Sequence, residues 1–78
     1  MYTAEMARNQ SESSPNVLDD RIEKEVSFAN YHGLRRGSIR VYIEDPFVHT
    51  IKEELEKRGF TVDYVPEIIL KGDVDFSW

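Results

Sequence analysis

Leu18, Ile22, Val26 and Ala29 recur at intervals of four, four and three, with Asp19, Asp20, Glu23 and Lys24 between them. That spacing draws one apolar stripe along a helix and leaves the acids facing away from it. Ser14 and Pro15 supply an N-cap and a first-turn proline, and Gly33 a left-handed stop, so the pattern predicts a helix over 15–32. From Ser38 the period shortens to two: Ile39, Val41 and Ile43 point one way and Arg40, Tyr42 and Glu44 the other, as in a half-buried strand. Asp45-Pro46 repeats the cap-plus-proline signal. Phe47, Ile51 and Leu55 then mark a second amphipathic helix, stopped by Lys57, Arg58 and Gly59. Phe60, Val62 and Tyr64 alternate with Thr61 and Asp63 in a second strand that Pro66 interrupts or ends. In the tail Val74, Phe76 and Trp78 share a face of a third strand, and Lys71-Gly72-Asp73 reads as the turn before it. Periodicity leaves Ile68, Ile69 and Leu70 open between an extension of the second strand and a separate short segment.

At the other end, Thr3 is a candidate N-cap before Ala4, Glu5 and Met6, and the chain then becomes polar through Asn9, Gln10, Ser11, Glu12, Ser13 and Ser14. Residues 1–14 thus read as a short helical turn and a polar loop, and 15–78 as a single α+β domain. Each helix has one apolar stripe and each strand one apolar face. The fold that covers all of them is a two-layer α+β sandwich of order α-β-α-β-β, with a three-stranded mixed sheet and two helices on one face.

A chain of 78 residues buries only about 60% of its extended surface, so association is an attractive further source of stability. Four Tyr, four Phe and one Trp are a heavy aromatic load for so small a core. Some of them, with Phe28, Phe76 and Trp78 as the candidates, are expected at the interface of a homo-oligomer. The absence of cysteine removes disulfides, thiolate metal sites and cysteine nucleophiles. Fifteen acids against ten bases give a net charge of −5, the wrong sign for broad phosphate-backbone binding, so nucleic acid is a disfavoured partner. The first residues lack the regions of a signal peptide, and no apolar run reaches the roughly 20 residues of a membrane span. A soluble, cytoplasmic protein with no membrane partner is expected.

Candidate chemistry is sparse. Asp45, His49 and Glu53 stand four apart, a spacing that shares one helix face and suits either a metal or a set of solvated i,i+4 partners. Asp45 is already the expected N-cap, and no second histidine is in register, so no metal site is assigned. The carboxylates Glu53, Glu54 and Glu56 are interleaved with Lys52, Lys57 and Arg58 as on a solvated face, and Glu67 forms no recognisable catalytic pair with them. No serine sits in a nucleophile elbow, and no phosphate loop or dinucleotide fingerprint is present. No catalytic residue and no cofactor are expected.

The segment His32-Gly33-Leu34-Arg35-Arg36-Gly37-Ser38 departs from the acidic whole. With Arg40 it concentrates arginine, whose planar fork suits phosphate and carboxylate, between glycines able to expose backbone N–H groups. A nucleotide-like ligand there would use Arg35, Arg36 and Arg40 with Tyr31 or Tyr42 as a stacking partner. Local structure explains the same residues without a ligand: Gly33 caps a helix, His32 and the arginines sit near its negative end, and Gly37 lets the chain turn into the strand.

Thr3-Ala4-Glu5-Met6-Ala7-Arg8 resembles the TAxxAR opening of many small bacteriophage and prophage proteins. Lys57-Arg58-Gly59-Phe60-Thr61-Val62 followed by Asp75-Phe76-Ser77-Trp78 resembles their xxGYxV…ISW ending. The likeness spans nearly the whole chain, with Phe60 and Phe76 in place of Tyr and Ile, Met6 in place of a small or acidic residue, and an added arginine cluster. It implies a viral setting, in the host cytoplasm, and action by binding: inhibition of a host factor, sequestration of a defence signal, or a minor structural place in the virion. The expected partners are a second copy of the chain and a host protein or small anionic ligand.

Overall fold

The computed structural model describes residues 2–9 and 17–78. Its elements are α1 (Ala4–Asn9), α2 (Val17–Tyr31), β1 (Arg36–Tyr42), α3 (Ile51–Lys57), β2 (Thr61–Tyr64) and β3 (Lys71–Ser77). The expected helix start at Ser14 and Pro15 lies outside the described residues. Thr3 caps α1 as its position suggests, its hydroxyl accepting the Met6 N–H at 3.2 Å. Both longer helices end in the same way. The N–H of Leu34 bonds Ala29 O and that of Gly33 bonds Asn30 O after α2, while Phe60 bonds Leu55 O and Gly59 bonds Glu56 O after α3. Each is a Schellman motif, and it requires the left-handed φ found at Gly33 (72°) and Gly59 (89°).

The sheet has the order β1-β3-β2. Both pairings are antiparallel, Arg36↔Ser77 through Tyr42↔Lys71 and Thr61↔Ser77 through Tyr64↔Asp75. The α+β class and two-layer arrangement are as expected, but the sheet is antiparallel rather than mixed. β1 and β2 do run parallel across the helix between them, yet β3 inserts between them instead of joining an edge. The insertion gives β3, with Val74 and Phe76 both at 0% exposure, the most enclosed position. The shorter, bulged β2 takes the edge, where irregular strands are best tolerated.

One face of the sheet carries Ile39, Val41, Val74 and Phe76 into a core shared with Leu18, Ile22 and Val26 of α2, Ile51 and Leu55 of α3, and Tyr2, Ala4 and Ala7 of the N-terminal segment. Each large apolar side chain in it contributes about 1.5–3 kcal/mol by leaving water. Phe76 and Trp78 were expected at an interface. Phe76 is instead fully buried, and Trp78 is half-buried beside it, with ring centroids 5.6 Å apart and Phe60 edge-on to both. A core this small uses its aromatic surface within the chain first.

Three local expectations are corrected. Residues 46–50 form successive turns (Val48 N–H to Asp45 O, Thr50 N–H to Phe47 O) and the helix begins only at Ile51, with Thr50 at its N-cap. Asp45 does not cap it because its carboxylate is held by Arg21 and by the Tyr42 N–H. Tyr64 leaves the apolar face of β2, and is exposed, because the register shifts between Val62 and Tyr64. Lys71, Gly72 and Asp73 belong to β3 and not to a turn. Pro66 and Ile68 fold over Gly72, within 2.8 and 3.2 Å of where a Cβ would stand, so only glycine fits beneath that loop.

Asp19, expected to face solvent, is 2% exposed. Arg58 Nε donates to its Oδ1 at 2.8 Å, and the Tyr2 N–H donates to the same oxygen at 3.0 Å. Arg58 also donates through Nη1 to Glu54 O, and its own carbonyl accepts the Ala4 N–H, both at 2.8 Å. Burial pushes the Asp19 pKa up, but the bonds from Arg58 and Tyr2 and the Arg58 charge outweigh it and hold the carboxyl below its ordinary range. Asp45 is likewise held low, foremost by its hydrogen bond from Arg21.

Removing one member of the buried pair leaves the other uncompensated. Arg58→Ala or Asp19→Ala should each cost about 3–5 kcal/mol in urea unfolding, and the double change Asp19→Leu/Arg58→Met less than either. Because both carboxylates are lowered in the fold, their contribution is complete above the unfolded value of about 3.9 and is lost as pH falls through the folded values. The urea midpoint should therefore be flat near neutrality and drop below about pH 4; a midpoint unchanged down to pH 3 refutes the linkage.

Candidate functional site

The last turn of α2, its glycine stop and the first residues of β1 form a corner that most of the unusual sequence occupies. Phe28 and Tyr31 project from the helix end at 61% and 86% exposure, and Leu34, just past Gly33, is 43% exposed. His32 packs its ring against both, with centroids 4.6 Å from Phe28 and 5.2 Å from Tyr31. Arg35 and Arg36 follow, both exposed and without an ion pair among the described residues. The Schellman motif turns Leu34 outward and brings the arginines beside the helix end.

An open groove of ≈ 870 Å³ runs from this corner across the end of the sheet. Phe28, Ala29 and Leu34 form its apolar wall, Arg35 and Arg36 its basic side, and Glu25, Asp63 and Asp75 its acidic side. Asp75 accepts a hydrogen bond from the Ser38 hydroxyl. A neighbouring groove of ≈ 380 Å³ shares Glu25, Phe28 and Ser38 and is completed by Arg21, Lys24, Ile39, Arg40 and Tyr42.

The five residues expected to clamp an anion are therefore divided. Arg35 and Arg36 line the larger groove, Arg40 and Tyr42 the smaller, and Tyr31 stands outside both. Arg40 is engaged with Asp73, Nε to Oδ1 at 3.1 Å, and Tyr42 lies under the Arg21 guanidinium at 5.5 Å. Three of the connector's N–H groups are also committed. Gly33 and Leu34 donate to α2 carbonyls and Ser38 to Glu25 Oε1 at 3.3 Å. These three N–H groups are closed to an anion, and the Arg35 and Arg36 guanidinium groups stand without an ion pair among the described residues.

Gly37 has a different task from the one expected. The Glu25 side chain lies across it, its Cγ 2.8 Å from where a Cβ would stand. From this position Glu25 meets the Ser38 N–H, while Arg21 Nη1 reaches Arg40 O at 3.4 Å and Asp45 takes the Tyr42 N–H at 2.8 Å. These are outward-facing groups of β1, so charged side chains seal an edge that would otherwise invite another strand. Sequence reasoning missed Glu25, Leu34, Asp63 and Asp75. Leu34 alone had a signal, an apolar residue stranded between a helix stop and two arginines.

The Asp45, His49 and Glu53 set is not on one helix face, since Asp45 and His49 precede α3. No group of three or more His, Asp or Glu side chains able to hold a metal ion occurs among the described residues. No family model, curated protein or solved structure matches the chain.

Gly37→Ala should displace Glu25 and free the Ser38 N–H, at a cost of about 1 kcal/mol in thermal or urea unfolding. Hydrogen exchange at Ser38 should quicken at the same time; an unchanged rate and midpoint would show that Glu25 does not seal the edge.

Proposed function

We propose that the protein acts by binding rather than by catalysis, as a phage-type accessory protein whose α2–β1 corner engages a host protein. The observation that carries this reading is the joint exposure of Phe28, Tyr31 and Leu34 beside the unpaired Arg35 and Arg36. Aromatic side chains and arginine are the types that dominate interface energetics, and a chain with a small core gains nothing for its own stability by leaving them in water. His32 fits the same reading, since its ring is packed between two of these aromatics and extends the apolar surface.

A small phosphate-bearing ligand ranks second. The groove is large enough for one, but Glu25, Asp63 and Asp75 line it together with the arginines, and the Gly33, Leu34 and Ser38 N–H groups are spent. No helix among the described residues is long and apolar enough to cross a membrane. The proposed place of action is the host cytoplasm, on a host factor or the protein that carries a defence signal.

Immobilised wild-type protein should retain specific host proteins from a bacterial extract. The purified partner should bind Phe28→Ala or Arg36→Ala at least about tenfold more weakly, as expected for residues at an interface centre. Partners that bind wild type and a Phe28→Ala/Leu34→Ala/Arg36→Ala variant equally would place the interface elsewhere and sink this reading.

A further inference from the structure

We infer that the first occupant of the basic corner is another copy of this chain, which inserts the opposite end of its sheet, so that the protein self-associates head to tail. This inference rests on the corner being a protein-binding surface and names its partner.

The two ends of the β1–β3 ladder are marked by Arg36↔Ser77 and Tyr42↔Lys71, about 20 Å apart at the rise of a strand. The corner with Phe28, Leu34, Arg35 and Arg36 stands at the first end. At the second, Ile43, Ile69 and Leu70 are exposed, the last two at 73% and 74%, and the Ile43 N–H bonds Leu70 O so that the two loops form one surface. Exposed carboxylates, Glu44 and Glu67, accompany it. Two apolar surfaces thus lie at opposite ends of one molecule, one bordered by the exposed Arg35 and Arg36, with Asp63 across the groove and Glu25 and Asp75 already bonded to Ser38, and the other by Glu44 and Glu67, with Lys71 next to Leu70.

That asymmetry selects the mode of contact. A two-fold pairing of corners sets Arg35 and Arg36 against their own copies, with Asp63 as partial relief, and a two-fold pairing of the far ends does the same for Glu44 and Glu67, with Lys71 as partial relief. Strand-to-strand pairing is closed off as well, since Glu25 and Arg21 occupy the β1 edge and β2 is short and bulged. Corner to far end brings apolar surface onto apolar surface and opposite charges together at the rim. Such heterologous contacts give a ring when the rotation between copies closes and a filament when it does not.

Charge exchange tests this directly by light scattering of the full chain. Wild type should exceed the 9.1 kDa of a single chain, with a mass that rises with concentration. Arg35→Glu/Arg36→Glu alone and Glu44→Lys/Glu67→Lys alone should each associate at least about tenfold more weakly. An equimolar mixture of the two should recover wild-type assembly, because each altered end then meets its complement. Lys71→Glu in the otherwise unchanged chain should strengthen association, which guards against loss caused only by misfolding; circular dichroism checks the fold of every variant. A wild type that stays at the mass of one chain up to about 1 mM overturns the inference. So does a mixture that fails to assemble, or a Lys71→Glu chain that associates less. The host-protein reading stands or falls separately, on whether captured partners discriminate against the corner variants.

Discussion

Arg58 joins three elements at one point. It closes α3, its guanidinium reaches Asp19 on α2, and its carbonyl accepts the first N–H of α1. A helix of six residues such as α1 is far below the length at which a helix holds itself together in water. It persists because Tyr2, Ala4 and Ala7 are buried and because Tyr2 and Ala4 are each bonded into the Asp19 and Arg58 pair. Two charges taken out of water return little net stability, so the pair acts mainly on geometry. It fixes where the N-terminal segment docks and at what distance α2 and α3 lie over the sheet.

The local parts of this architecture were legible. Gly33 and Gly59 announced helix stops, and the buried stripe of α2 is the set Leu18, Ile22, Val26 and Ala29 that its spacing indicates. What could not be read was anything set by residues far apart in sequence. Asp19 looked like one of several solvated acids, since its partner lies 39 residues away. Asp45 carried a sound capping signal, but a guanidinium 24 residues distant claimed the carboxylate and delayed the helix to Ile51. Strand order is of the same kind, since alternation shows that β3 has an apolar face and not which strands flank it. At the candidate site the arginines stood out by composition. Their separation into two grooves depended on Asp73, which faces Arg40 only once β1 and β3 are in register.

Structure and surface are divided economically at the α2–β1 corner. The same Schellman turn that satisfies the helix's last carbonyls also expels Leu34 from the core and places Arg35 and Arg36 at the negative end of the helix dipole, where positive charge is favoured by about 0.3–1 kcal/mol. The proposed binding surface and the helix stop are therefore one feature. Gly33 carries the left-handed turn on which both depend, so a side chain there would disturb the display of the arginines along with the end of the helix.

The sealed edge of β1 has a kinetic side. Glu25 and Ser38 are separated by 13 residues and Arg21 and Arg40 by 19, whereas Asp19 and Arg58 are separated by 39 and Ser38 and Asp75 by 37. Closing the shorter loops costs less chain entropy, so α2 can reach across β1 at lower cost than the longer loops can close. A nascent strand whose outward groups are already occupied offers few attachment points to a neighbouring chain during its most vulnerable interval. By loop entropy alone, the contacts that cover the β1 edge are thus cheaper to close than those that tie α3 and β3 into the fold.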